Sequence, residues 1–237
     1  MKSKERLVRS FFYMARSYFK IICFILVLGC ASESDISPVV DGGEQYFPLE
    51  LGSYSIFDVG RADYDLNGKD SSNYQMKVLV ADTFSIQDQL HYVLNTYIRD
   101  SSEDNWVIDE IRSAYIWEEQ VLVQQNGELF LALSLPLKEG KAWDGNTYNA
   151  GDYDRYEYRY VAEPFEGYQT TVTVIQNEIF DTIDKTDYRV EVYSKDTGLV
   201  FKEIQIINYC SIGDCVGQQI IENGLIYKQT LIENGKE

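Results

Sequence analysis

Residues 128–136, ELFLALSLP, decide the fold class. Leu129, Leu131, Leu133 and Leu135 recur at every second position, so an extended chain carries all four on one face. Pro136 follows where a strand should end, because proline cannot donate to a ladder. The same period recurs upstream. Tyr74, Met76, Val78 and Val80 alternate with Gln75 and Lys77, and Leu90, Tyr92 and Leu94 alternate with His91 and Asn95. Further runs of β-branched and aromatic residues predict strands at 53–59, 106–114, 115–123, 153–161, 171–175, 188–193, 199–209 and 225–232. Gln125-Asn126-Gly127 and Asp196-Thr197-Gly198 carry residues that accept positive φ and read as hairpin turns. No segment sustains a helical period. The expected fold is all-β: a single antiparallel domain of about ten or eleven strands in one sequence-local meander, closed as a sandwich or an incompletely closed barrel.

A chain of 237 residues with 45% hydrophobic and 14% aromatic side chains can bury a core of that kind. Its net charge of −17 understates the acidity of the folded part. Residues 1–29 hold six basic side chains against Glu5 alone, which leaves 15 basic and 37 acidic residues beyond them, a balance of −22. Such a surface repels nucleic acid and anionic headgroups at long range, so no nucleic-acid partner is expected.

The N-terminus reads as an address. A basic, aromatic-rich segment precedes the apolar run at residues 21–28, which is too short to span a bilayer as a helix. Met14 begins a second, more compact version of the same signal and could serve as the start. Val27-Leu28-Gly29-Cys30 resembles the lipobox of bacterial lipoproteins. That resemblance implies cleavage before Cys30, a diacylglycerol on its sulfur and acylation of the new amino group. Two or three acyl chains anchor durably where one does not, at about 0.8 kcal/mol per buried CH₂. Ala31 after the cysteine resembles the pattern of outer-membrane retention. Glu33 and Asp35 are a thin version of the acidic surface-export signals of Bacteroidota lipoproteins, so the face of the membrane is open. The expected organisation is a signal peptide at 1–29, the lipidated Cys30 with a flexible tether at 30–45, and the β domain at 46–237.

YFPLELGSYSIFDV (46–59), PLKEGKAWDGN (136–146) and VEVYSKDTGLVFKE (190–203) together resemble a set of uncharacterised envelope lipoproteins of Bacteroidota-type bacteria. The resemblance implies one all-β domain in a cell-envelope setting and supplies no catalytic residue.

Few residues offer chemistry. A Ser-His-Asp or Cys-His arrangement needs a histidine, and the single one, His91, is expected on the polar, solvent-facing side of its strand. Asp63, Asp65 and Asn67 match the first half of an EF-hand loop, but Tyr74 stands where the bidentate glutamate belongs, which favours a polar hairpin turn over a metal site. Cys210 and Cys215 bracket SIGD in an exported domain and are expected to form a disulfide worth about 2–3 kcal/mol in the chain-entropy model. Tyr156, Tyr158 and Tyr160 share one face of a predicted strand. Exposed, they would form a binding platform for sugars or peptides; buried, they are core. Three functions follow: a non-catalytic acidic domain binding a protein or glycan partner, a carrier of an apolar ligand in a half-open barrel, and a carboxylate-based hydrolase. The first is preferred because the anchor is evident and no active-site signature is; it is a non-enzyme and needs no cofactor.

Overall fold

A computed structural model of the chain describes residues 39–237 except 41, 66 and 182. Cys30, the signal peptide and most of the expected tether lie outside the described residues.

Fourteen strands follow in order: β1 Val39–Val40, β2 Ser53–Asp65, β3 Gly68–Ile86, β4 Gln89–Arg99, β5 Val107–Trp117, β6 Gln120–Gln125, β7 Glu128–Ser134, β8 Leu137–Lys138, β9 Ala142–Asp144, β10 Arg155–Phe165, β11 Tyr168–Asp181, β12 Lys185–Ser194, β13 Gly198–Tyr209 and β14 Ile221–Lys236. The fold is all-β as expected, and each expected strand is present, usually longer than its apolar run. Twelve strands form one antiparallel sheet in the order β7-β6-β5-β4-β3-β2-β14-β13-β12-β11-β10-β9. The connectivity is therefore two meanders joined by the β2–β14 pair, rather than the single meander expected.

The two edges of the sheet meet, which makes a nearly closed barrel and leaves neither edge free. The backbone N–H of Leu131 in β7 donates to the carbonyl of Gly145 just past β9 at 2.9 Å. The indole Nε1 of Trp143 donates to the Leu131 carbonyl at 3.0 Å, and the Ser134 N–H donates to the Tyr158 hydroxyl at 2.9 Å. Trp143, Tyr156 and Tyr158 pack around this seam with Leu131 and Leu133.

Tight turns set the register. Asn126 and Gly127 both have positive φ between the paired residues Gln125 and Glu128, as their sequence requires. Gln87-Asp88 and Glu118-Glu119 make the same kind of turn without glycine. The Glu118-Glu119 turn carries β5 on to Trp117, where the sequence suggests a break before Tyr115.

Ahead of the expected start of the β domain at residue 46, Val39 and Val40 pair with Lys138 and Leu137 in a separate two-stranded sheet. From there a strap, residues 42–50, crosses one end of the barrel. Gly43, with φ +81°, sits so close to Leu135 and Leu137 that a side chain there would meet them at 3.0 Å. Tyr46 is fully buried in the main core among Leu133, Leu135, Leu137 and Tyr193, and Phe47 packs beside it. The Asp196 N–H donates to the Gln45 carbonyl at 2.8 Å, tying the strap to the β12–β13 turn. The strap is thus a plug.

Candidate functional site

Strand direction defines two ends of the barrel. The strap end carries the turns after β3, β5, β10 and β12, together with β8. The far end carries the turns after β2, β4, β6, β11 and β13. The strap end holds the features that a binding site would use.

There an open groove of about 480 Å³ separates the strap from β4 and β5. Phe47 and Leu49 on one side face Tyr92 and Ile116 on the other, and Glu44 and Glu50 add carboxylates at the margin. Its volume suits a short peptide or oligosaccharide. Glu44 and Glu50 are both exposed, and Lys236 engages Glu50, so neither has the desolvated setting in which a carboxyl acts as a general acid. The plugged interior also bears on the carrier reading. Tyr46, Leu122, Leu133, Leu137, Tyr158, Val172 and Val174 fill the space an apolar ligand would need.

Beside the groove, the outward face of the β3–β4 and β5–β6 hairpins carries an aromatic stack. His91 lies between Phe84, at 5.1 Å between ring centroids, and Tyr115, at 4.1 Å. The ring is buried and its Nδ1 has no partner among the described residues. This corrects the expected exposed histidine: Phe84 and Tyr115 from the two neighbouring strands cover it, while Leu90 beside it is exposed. Burial lowers the His91 pKa and keeps the imidazole neutral at pH 7. Among the described residues the ring packs between Phe84 and Tyr115.

Two of the three tyrosines take the core alternative. Tyr156 and Tyr158 are buried, and Tyr160 is 55% exposed. Positive φ at Tyr160 (55°) and Ala162 (64°), with a register shift between Arg159 and Glu163, breaks the alternation, so the three rings share no face. Burial raises the Tyr158 phenol far above its usual value and keeps it a donor and acceptor at the seam.

At the far end, Cys210 and Cys215 form a disulfide with Cα atoms 5.8 Å apart. Asp63, Asp65 and Asn67 lie in and beside the β2–β3 hairpin turn. Asp63 is bound by Arg61 through two hydrogen bonds of 2.6 and 2.8 Å, and Asp65 accepts from the Asn67 N–H at 2.7 Å. Those contacts engage both carboxylates within the hairpin, and the geometry is that of a turn.

Sequence reasoning missed one charged site. Glu191 on β12 is buried, accepting from Lys202 at 2.7 Å and from the Tyr193 hydroxyl at 2.6 Å. Burial pushes its carboxyl up, but the Lys202 ammonium and these hydrogen bonds outweigh that and hold it below the usual range. Lys202 lies directly across from it in the β12–β13 ladder, so the sequence signal was an opposite-charge cross-strand pair in a run of valines.

No family model matches the chain. No curated protein matches it either. Among solved structures, it is similar to a protein of Bacteroides fragilis NCTC 9343 described as exported with a YmcC-like fold, at 14% identity and a TM-score of 0.34. It is also similar to a protein of Parabacteroides distasonis ATCC 8503 described as a lipoprotein, at 14% identity and a TM-score of 0.28. Each alignment covers 80% of this chain and 98% of the other.

Proposed function

We propose that the chain is an outer-membrane lipoprotein, held by acyl chains on Cys30, whose barrel binds a protein or glycan partner without catalysing a reaction. The supporting observation is the strap. Val39 follows Cys30 by nine residues and already pairs with β8 in a two-stranded sheet at the strap end, so a lipid on Cys30 would hold the plugged barrel through a short stretch of chain. The same strap forms one wall of the 480 Å³ groove, which makes the groove the natural seat for a peptide or saccharide.

Metabolic labelling tests the anchor. Cells given an alkyne-bearing fatty acid are expected to label the wild-type protein, whereas Cys30→Ala loses the label and retains residues 1–29. Equal labelling of both proteins would refute lipidation at Cys30.

A further inference from the structure

We propose that the flank of the β3–β4 and β5–β6 hairpins at the strap end rests on the bilayer, with its exposed apolar fringe in the headgroup layer of neutral lipid and the groove on the other face of those hairpins left open. This inference rests on the anchoring reading above.

The first ground is reach. From Cys30 to Val39 a fully extended chain spans at most about 30 Å. The 16 residues of β14 run about 50 Å, or roughly 40 Å along the barrel axis once strand tilt is allowed for. Val39 pairs with β8 at the strap end, in a two-stranded sheet separate from the barrel sheet. A lipid on Cys30 therefore cannot lie in the membrane while the barrel stands upright on its far end. The strap end or an adjacent flank must face the lipid.

The second ground is what that end presents. Phe84, Ile86 and Trp117 are 39%, 53% and 43% exposed on the face of the hairpins that carries the His91 stack, and Leu51 is 51% exposed nearby. Aromatic side chains of this kind sit favourably at a headgroup boundary. The hairpin tips between them carry Asp88, Glu118 and Glu119, which anionic lipid would repel. The surface thus suits zwitterionic lipid.

The far end is a built-in control. Phe180, Ile183 and Ile212 are 58%, 56% and 84% exposed there, so apolar exposure alone predicts contact at both ends, and reach predicts contact at one.

The three tryptophans permit the test on the intact lipoprotein. Trp117 lies at the strap end, Trp143 is buried at the seam, and Trp106 stacks under Arg99 at the far end. The mature lipidated protein is placed in phosphatidylcholine vesicles with brominated acyl chains, and its association is read separately by flotation. Tryptophan quenching is expected. Trp117→Phe should lose most of it, and so should Ile86→Asp. Ile212→Asp should leave it unchanged, and replacing half of the lipid with phosphatidylglycerol should reduce it. A protein that floats with the vesicles but shows no quenching, or the same quenching in Trp117→Phe, overturns the inference and leaves the anchor intact. A protein that does not float removes the anchor and the inference together.

Discussion

Tyr46→Ala is expected to lower the unfolding free energy by about 3–5 kcal/mol, the usual cost of truncating a fully buried aromatic side chain. Tyr46 lies outside the twelve-stranded sheet, yet it is 0% exposed and fills the barrel end among Leu133, Leu135, Leu137 and Tyr193. Its hydroxyl is buried without a hydrogen-bond partner among the described residues. Burial raises the phenol pKa, with Asp196 adding to the shift, so the group stays neutral at every pH of interest. An unpaired buried hydroxyl costs free energy, so Tyr46→Phe should equal or exceed the wild type in stability. Urea denaturation followed by tryptophan fluorescence reads both variants. A loss below about 1 kcal/mol in Tyr46→Ala would mean that the strap is an ornament on a barrel closed without it.

The second large effect belongs to Glu191. Glu191→Gln keeps the shape and leaves the Lys202 ammonium without its counter-charge. Breaking a buried pair costs about 3–5 kcal/mol, and the 28% exposure of the Lys202 side chain should reduce this to roughly 2–4 kcal/mol. Glu191→Leu combined with Lys202→Met should recover much of the loss, because it removes both desolvated charges. The pair also sets a pH dependence. The folded carboxyl titrates below its unfolded value of about 4.3, so its contribution is complete above that pH and is lost as pH falls through the lower folded value. Urea midpoints measured from pH 7 to pH 3 should therefore fall more steeply for wild type than for Glu191→Gln. Parallel curves would show that other carboxylates govern acid unfolding.

The strands were legible where one face is buried and the other wet. Leu131 and Leu133 are buried, and Tyr74, Met76 and Val78 pack on the core as their period predicts. What the sequence could not carry were effects of neighbouring elements. His91 alternates correctly for an outward residue, but cross-strand Phe84 and Tyr115 roof it over, and no local pattern encodes that roof. Tyr160 departs from its period because a bulge re-aims the chain, and the segment Tyr160-Val161-Ala162 contains no glycine to announce positive φ. Two residues, Val39 and Val40, are too few to show any period, so the strap reads as tether until its partner Leu137–Lys138 is seen. The Glu118-Glu119 turn carries no turn residue, and the strand before it was cut short for that reason.

The β2–β14 pair has a kinetic meaning. Every other neighbour in the large sheet is the preceding or following strand, but Tyr64 pairs with Gly224 and Ser53 with Lys236. Two half-barrels can assemble from short loops, while their union waits for the last strand to appear. During synthesis, which makes the N-terminus first, β2 would stand as a bare edge thirteen residues long with Ile56, Phe57 and Val59 on it. Bare apolar edges recruit other chains. A chain ending at Ile220 is thus expected to aggregate although it lacks one strand; a soluble product with a cooperative unfolding transition would contradict this. Among the described residues β14 acts as a latch, because it alone joins the two half-barrels, so vulnerability to misassembly persists until it has paired with β2.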